Sequence, residues 1–208
     1  MPEATPFPKI GAVVWDFGNV IVRWDARTLY SKIFPDPLER DRFLRDVCTI
    51  GWHIETDRGV SFADNCGALA ARHPEHEAAI WAWKDRWWEM FSGPIPETEG
   101  AIEALAARGV PQFGLSNVAL ETLQGTMAMS PAFGRLKDVV ASAAEGLIKP
   151  DPAIFRLAAR RFGFAPEELL FIDDGAHNIE AARALGFQVH HFTDPAALRP
   201  ALERLGLL

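Results

Sequence analysis

The sequence predicts an α/β fold, a doubly wound parallel sheet with a small helical cap domain inserted after its first strand. The apolar, β-branched run "IGAVVWD" (10–16) is typical of a strand covered on both faces. From about residue 96 onward, strands alternate with helices of about ten or more residues, which indicates βα units around a parallel sheet. Between these parts lie about seventy residues of helical, tryptophan-rich pattern, which predict the cap.

The elements of the core follow one another regularly. Asp151 and Asp194 are candidate N-caps, each followed by a proline at the first helical position. Gly109 is a candidate stop for the first helix after the cap. In chain order, the predicted elements are the helix "TEGAIEALAARG", the strands "VPQFGLS" and "KDVVASAA", the helix "DPAIFRLAARRFG", the strand "ELLFIDD", the helix "AHNIEAARALG", the strand "FQVHHF" and the helix "DPAALRPALERLG".

The prolines and glycines of "SGPIPETEG" (92–100) interrupt the helical pattern and indicate a domain boundary. We therefore predict an α/β core of residues 1–22 and 95–208 and a helical cap of residues 23–94. In open α/β sheets, ligands bind beyond the carboxyl ends of the strands. A cap inserted after the first strand is expected to rise over that edge.

Composition and charge limit the classes of function. Of the 208 residues, 49% are hydrophobic, which suffices for a substantial core and excludes a disordered chain. The net charge of −7 argues against nucleic acid and anionic membranes as partners. A small anionic substrate stays compatible with this charge, because a few local positive groups outweigh a distant negative surface.

The sequence also bears on the compartment. "MPEATPFPKI" lacks the basic start and apolar stretch of a signal peptide, and no apolar run reaches the ~18 residues that a membrane span needs. Cys48 and Cys66 have no partner at metal-site spacing and are interpreted as packing residues in a reduced compartment. We expect a soluble, cytoplasmic protein that is a monomer or a homodimer.

Polar groups occur at four places along the edge of the sheet where ligands are expected. Because the carboxyl ends of parallel strands meet at one edge of a sheet, groups distant in sequence come together there. These groups are Asp16 after the first strand, Ser116 and Asn117 after the second, Lys149 before the "PDP" helix start, and Asp173 and Asp174 after the fourth.

Each of these residue types has a task in phosphoryl transfer. A carboxylate attacks phosphorus and carries it as an aspartyl phosphate. Other carboxylates hold a divalent ion that neutralises the phosphate. A hydroxyl and backbone N–H groups bind phosphate oxygens, and a lysine adds a positive charge.

Four segments resemble the motifs of the haloacid dehalogenase-like (HAD) superfamily, in the same order and spacing: "DFGNV", "LSN", "IKPDP" and "FIDDGAHNIEAA". Within it, "DFGNVIV" together with "DDGAHNIEAA" resembles the small-capped bacterial phosphatases that include glucose-1-phosphate phosphatases. The resemblance covers residues 10–22 and about 96 to the C-terminus, and it implies a Rossmann-like core, a Mg²⁺ cofactor and a small phosphorylated metabolite, such as a sugar phosphate, as substrate.

The resemblance also implies a role for each matching position. Asp16 would be the nucleophile and a metal ligand, with Lys149 bridging it to the phosphate. The metal ligands would be Asp16, the Gly18 carbonyl, Asp173 and Asp174, with Asn178 in the outer shell. The phosphate-binding set would comprise Phe17, Gly18, Ser116, Asn117 and Lys149.

Gly18 departs from the family pattern, because most phosphatases of the superfamily carry a second aspartate there. That aspartate protonates the leaving oxygen and then activates water. Acid–base catalysis contributes about 10²–10⁴-fold, so its loss slows an enzyme without abolishing catalysis. We hypothesise that Gly18 favours leaving groups that need little protonation, such as anomeric or aryl oxygens.

Two alternatives to a Mg²⁺-dependent phosphatase stay open. A haloacid dehalogenase of the same superfamily would also use Asp16 but no metal, and the Asp173–Asp174 pair argues against it, since dehalogenases lack the paired acids. A catalytically weak phosphate-binding or partner-binding protein is compatible with Gly18. A phosphomutase has greater need of the missing aspartate.

The cap offers further candidates for the pocket. "GWHIETDRG" contributes Trp52, His53, Asp57 and Arg58, and Trp24 and Trp88 are aromatic candidates. The stripe of Ile80, Trp83, Trp87 and Phe91 has helical spacing and is interpreted as core packing.

Overall fold

The structure is a computed structural model, and it describes residues 9–208. The first eight residues of the predicted core, and with them most of the segment used for the signal-peptide prediction, lie outside this range. The strands are β1 (Ala12–Trp15), β2 (Val22–Trp24), β3 (Phe91–Pro94), β4 (Gln112–Ser116), β5 (Val139–Ala141), β6 (Leu169–Asp173) and β7 (Gln188–His191). The α-helices are α1 (Ala26–Tyr30), α2 (Pro37–Asp46), α3 (Ile50–Asp57), α4 (Phe62–Ala70), α5 (Glu77–Asp85), α6 (Pro96–Ala107), α7 (Leu120–Met127), α8 (Ser142–Glu145), α9 (Pro152–Phe162), α10 (Ala176–Ala184) and α11 (Pro195–Arg204).

The predicted fold class is confirmed. Five strands form a parallel sheet in the order β5-β4-β1-β6-β7, with β1 in the centre. Strand β1 alternates between the two faces: Val13 and Trp15 pack with helices α6 and α11, whereas Ala12 and Val14 pack with α9 and α10. All four side chains are fully buried, which explains why this strand is apolar on both faces.

A third hydrophobic cluster lies in the helices between β2 and β3. Tyr30, Phe43 and Trp83 are buried at its centre, together with Cys48 and Cys66. Both cysteines are free and buried, as expected of packing residues. We call residues 26–90 the helical insertion. Ile80, Trp83 and Trp87 of the predicted stripe are buried, and Phe91 packs against this cluster.

The helical insertion leaves and re-enters the core through a short antiparallel ribbon of β2 and β3, in which Val22 pairs with Pro94 and Trp24 with Phe91. No strand is predicted from the sequence in either segment, because three or four residues are too few to show a period of two. Helix α7 is not predicted either. Its buried Thr122 and Thr126 and its internal Gly125 obscure the apolar periodicity.

The predicted N-caps of helices α9 and α11 are confirmed. The side chain of Asp151 accepts a hydrogen bond from the N–H of Ala153 at 2.8 Å, and that of Asp194 accepts one from Ala196 at 3.0 Å. Of the helices in residues 9–208, none combines the length and the apolar character that crossing a bilayer requires.

Candidate active site

The strand register brings three predicted site residues to one edge of the sheet. Trp15 pairs with Ile172 of β6 and with Gly114 of β4. Asp16 therefore follows β1 beside Asp173, the last residue of β6, while Ser116 ends β4 on its other side. The register of these three strands is enough to bring the groups together, as the sequence predicts.

Asp16, Asp173 and Asp174 form an acidic cluster, in which one carboxylate oxygen of each lies within 4.8 Å of the others. Asp173 is fully buried, Asp16 is 8% exposed and Asp174 is exposed. Three carboxylates this close repel one another unless a cation is present. An all-oxygen donor set of this kind suits Mg²⁺.

A second observation supports a hydrated cation at the cluster. The Asn178 amide donates to Asp173 Oδ1 at 2.9 Å. Its own carbonyl oxygen, Oδ1, is buried without a hydrogen-bond partner among residues 9–208. Such an orphaned acceptor suits a water molecule of a bound ion, because Mg²⁺ usually keeps several of its waters. The residues present therefore fit the metal that the sequence implies.

Lys149 is buried between two members of the cluster. Its Nζ lies 2.8 Å from Asp16 Oδ1 and 2.7 Å from Asp173 Oδ2, and the residue is 2% exposed. The Asn117 side chain holds the lysine backbone from both sides: its Oδ1 accepts from the Lys149 N–H at 2.8 Å and its amide donates to the Lys149 carbonyl at 3.0 Å.

The Asn117 side chain thus has a role that sequence reasoning missed. The resemblance assigns only its backbone, to phosphate binding. The contact joins residues 32 positions apart across the loops after β4 and before α9. No local pattern reveals a contact of this kind, because both loops must be placed before it forms.

The charges of the cluster shift its pKa values in different directions. Burial raises the pKa of Asp16 to about 7, although Lys149 opposes this shift. Burial also acts on Asp173, but Lys149 and the hydrogen bonds from Asn178 and the Gly175 N–H outweigh it and lower the pKa of this carboxyl. Burial would lower the pKa of Lys149, but its two carboxylate partners raise it. Lys149 therefore stays protonated between its two carboxylate partners.

A cavity of about 320 Å³ opens beside this cluster, between the sheet edge and the helical insertion. Its core side carries the polar groups and its insertion side is largely apolar. The core contributes Asp16, Phe17, Gly18, Ser116, Asn117, Val118, Lys149 and Asp174, among others, and the insertion and its ribbon contribute Trp24, Ile50, His53, Ile54, Asp57, Trp87 and Phe91. A wider depression of about 650 Å³ shares Asn19, Trp24 and Asp174 with it but reaches neither Asp16 nor Lys149.

Phe17 and Gly18 contribute differently to the cavity. The Phe17 ring is 1% exposed and packs edge-on against Phe133 at 4.7 Å between centroids, so only its backbone is free to meet a phosphate. A Cβ at Gly18 would meet no atom of residues 9–208 within 4 Å. The missing side chain of Gly18 therefore leaves open space and not a packed contact.

Of the six candidate pocket residues, the structure places Trp24, His53 and Asp57 at the cavity and the other three elsewhere. The Trp52 indole donates to the Asn65 carbonyl at 3.2 Å inside the insertion. Arg58 lies beyond the end of α3 and pairs with Glu55 at 3.4 Å. Trp88 is 46% exposed, and its ring lies over Gly125 of α7. These three side chains point away from the cavity because of how the helices of the insertion pack together. The periodicity of the sequence does not predict that packing.

Asp57, also in the "GWHIETDRG" segment, does line the cavity. It is 7% exposed, and burial raises its pKa to about 7, with Lys149 opposing and Asp16 adding to the shift. Its carboxylate lies 4.0 Å from Nε2 of His53. Burial lowers the pKa of His53 to about 4, so this imidazole is neutral at neutral pH.

The comparisons with known proteins agree with this geometry. The family model for haloacid dehalogenase-like hydrolases matches residues 10–186. Haloacetate dehalogenase H-2 of Moraxella sp. (strain B) is 31% identical over 96 residues, which cover 46% of this chain and 43% of that protein. The alignment thus spans less than half of this curated relative.

Two solved structures share the fold over nearly the whole chain. A predicted HAD-like family hydrolase from Porphyromonas gingivalis superposes with a TM-score of 0.71 at 24% identity, covering 94% of this chain and 97% of that one. A HAD family enzyme from Bacteroides thetaiotaomicron, in complex with magnesium and inorganic phosphate, superposes with a TM-score of 0.65 at 19% identity, covering 91% and 98%. Likeness at this level of identity concerns the fold.

Proposed function

Because the chain belongs to the haloacid dehalogenase-like hydrolases, we propose that it is a Mg²⁺-dependent phosphatase that hydrolyses a small organic phosphate monoester. The observation that carries the proposal is the acidic cluster with its buried lysine. When ionised, three carboxylates and one ammonium leave two negative charges uncompensated. A dianionic phosphate would be repelled from such a site unless a divalent cation neutralised it.

In this proposal, Asp16 is the nucleophile. One of its carboxylate oxygens attacks phosphorus, and the aspartyl phosphate formed is then hydrolysed by water. Lys149 orients Asp16 through the 2.8 Å contact and adds a positive charge next to the transferring group. The Ser116 hydroxyl and the backbone N–H groups of the loop after β1 bind the phosphate oxygens.

The cation would be held by Asp16, Asp173, Asp174 and the Gly18 carbonyl. When bound, it offsets the negative charge of the phosphate oxygens. Asn178 keeps Asp173 oriented through its amide. Asn117 keeps Lys149 in place through the two backbone hydrogen bonds.

The cavity supports a compact substrate. Its volume of about 320 Å³ lies at the lower end of small-molecule sites, and its insertion side offers mainly aromatic and aliphatic side chains. We propose small phosphorylated metabolites as substrates. They include aryl phosphates and sugar phosphates that present a less polar face to Trp24 and Trp87.

Our proposals on the cap, the compartment and the oligomeric state rest on the composition and on the position of the insertion beside the cavity. Residues 23–94 act as a cap that chooses the substrate, because the insertion forms the apolar side of the cavity. The protein acts in the cytoplasm as a monomer or homodimer, without nucleic-acid or membrane partners, as its net charge of −7 favours.

A haloacid dehalogenase is the second candidate, and the similarity to the Moraxella dehalogenase favours it. In such a reaction Asp16 would displace a halide from carbon, and no metal would be required. The haloacid carboxylate would need a free positive group. Among the described residues that line the cavity, Lys149 is the single lysine or arginine, and it already contacts two carboxylates.

The test is hydrolysis of para-nitrophenyl phosphate, whose leaving group needs little protonation. We expect turnover with Mg²⁺ that EDTA abolishes and that falls to background in Asp16→Asn. The control is Asp85→Asn, an exposed carboxylate of the insertion paired with Lys84, which should leave the rate unchanged.

Three results would contradict the proposal. Turnover that survives EDTA or the loss of Asp16 would exclude the metal-assisted aspartyl mechanism. Halide release from 2-chloropropionate in EDTA would establish the dehalogenase. Binding of Mg²⁺ and phosphate by folded protein without turnover of any ester would indicate a binding protein.

A further inference from the structure

We propose that Asp57, from the helical insertion, is the acid–base residue of this active site: it protonates the leaving oxygen and then takes a proton from the attacking water. This inference rests on the proposed phosphatase function. Asp57 would perform the acid–base step that an aspartate at the position of Gly18 performs in most phosphatases of the superfamily.

Asp57 lies at the cavity, close to the groups that would bind the substrate. It is the last residue of α3, its side chain is 10% exposed, and it lines the cavity together with Asp16, Gly18 and Lys149. Within the described chain, the carboxylates that line this cavity are those of Asp16, Asp174 and Asp57. Asp16 and Asp174 belong to the acidic cluster, so Asp57 is the lining carboxylate outside it.

Asp57 is anchored to the core, although it belongs to the insertion. The Ser142 hydroxyl at the start of α8 donates to the Asp57 backbone carbonyl at 2.6 Å. The same hydroxyl accepts from the Val118 N–H, just after Ser116 and Asn117, at 2.9 Å. One side chain thus ties the end of α3 to the loop that carries the predicted phosphate-binding residues.

The surroundings of Asp57 suit proton transfer. The charged and titratable groups that face it are His53 on its own helix, Lys149 from the loop before α9, and Asp16 after β1. His53 is neutral and 4.0 Å away, which leaves the Asp57 carboxyl free to bond to another oxygen. Burial favours its protonated form up to neutral pH, as a general acid requires.

An Asp16 oxygen forms a bond to phosphorus while the bond from phosphorus to the leaving oxygen breaks. The electron pair of that bond goes to the leaving oxygen, which takes the proton of Asp57 and departs as an alcohol. The Asp57 carboxylate then accepts a proton from water, whose oxygen attacks phosphorus. The bond to Asp16 breaks, its electrons return to the Asp16 carboxylate, and inorganic phosphate leaves.

Asp57→Asn tests the proposal with two esters of similar shape, para-nitrophenyl phosphate and phenyl phosphate. Only the second has a leaving group that needs a proton. With Mg²⁺ bound, we expect kcat/KM for phenyl phosphate to fall about 10²-fold or more, and kcat/KM for para-nitrophenyl phosphate to fall less than about tenfold. Glu55→Gln, an exposed carboxylate of the same helix, should leave both values unchanged.

A burst measurement separates chemistry from a merely structural role. In Asp57→Asn, phosphoryl transfer from para-nitrophenyl phosphate persists while attack by water is slowed. A burst of about one equivalent of para-nitrophenolate per active site is therefore expected before slow turnover. Thermal unfolding of the variant verifies that it folds.

The outcomes are distinct. Loss confined to phenyl phosphate, with a burst, supports Asp57 as the acid–base residue. Equal losses for both esters without a burst, or no loss at all, overturn the assignment and leave the phosphatase function standing. Wild-type protein that hydrolyses neither ester with Mg²⁺ overturns both.

Discussion

Buried Lys149 is the residue on which the site is centred, because its ammonium group contacts Asp16 and Asp173 at once. A lysine that is 2% exposed loses its hydration, and only well-placed carboxylates make up for that loss. Asn117 fixes the lysine backbone, so that the ammonium group is placed before any substrate arrives. Such preorganisation is the usual source of electrostatic stabilisation in active sites.

The open space at Gly18 leads to a prediction of gained function. Because a Cβ there meets no atom of the described part of the chain within 4 Å, Gly18→Asp should place a second carboxyl at the leaving group without a clash. In an Asp57→Asn background, it should raise kcat/KM for phenyl phosphate by about tenfold or more. Gly18→Asn is the matched control, since it fills the same space but carries no transferable proton. Equal rates for the two variants would contradict the prediction.

Asp57 should also make stability depend on pH. Its pKa is raised from 3.8 to about 7 in the folded state, so folding is favoured by its protonated form. That contribution is complete below about pH 4 and is lost as the pH rises through about 7. In EDTA, Asp57→Asn should match the wild type at pH 4 and exceed its free energy of unfolding by about 2–4 kcal/mol at pH 8.

Urea unfolding at a series of pH values measures this difference. Glu55→Gln should follow the wild type throughout, because the Glu55 side chain is exposed. A stability difference between Asp57→Asn and the wild type that is the same at pH 4 and pH 8 would show that Asp57 does not titrate as described.

At the scale of elements, what the sequence predicts depends on how local the signal is. Strand β1 and the capped helices α9 and α11 are predicted correctly, because a buried strand reads as a continuous apolar run and an Asp–Pro start is a local signal. Strand β5 ends earlier than predicted, since Ser142 already begins α8. That boundary depends on Ser142 reaching α3 and the loop after β4, contacts that no local pattern contains.

The prediction of the site from the sequence has the same limit, because it succeeds only where the signal is local or follows from strand order. The edge residues Asp16, Ser116 and Asp173 follow from strand order and register, so the sequence places them together. The insertion residues do not follow in this way. Trp52, Arg58 and Trp88 face away from the cavity while His53 and Asp57 line it, because the packing of five short helices decides which side of each one faces the sheet.

At the scale of the whole molecule, the core and the insertion supply different halves of one cavity. The parallel sheet delivers the charged groups, from Asp16 to Asp174, at its carboxyl edge. The insertion covers that edge with an apolar surface and adds Asp57, which lies next to the anchoring contact from Ser142. In our proposal, reaction chemistry depends on the core and its contact with α3, whereas substrate choice depends on the rest of the insertion.

Because the acidic cluster lies entirely on the core, we predict that Mg²⁺ stabilises the whole protein by binding to core residues only. A ligand at 100 times its Kd adds about 2.7 kcal/mol to the free energy of unfolding. Mg²⁺ at that level should raise the stability of the wild type accordingly, and Asp174→Asn should lose at least about half of this gain. In EDTA this variant should be at least as stable as the wild type, because burial and the neighbouring Asp173 raise the pKa of Asp174 and its ionised form therefore does not favour folding. Asp85→Asn, on the insertion, should keep the full gain. The measurement is thermal unfolding of the three proteins with and without Mg²⁺. Equal gains in all three proteins would place the ion outside the acidic cluster.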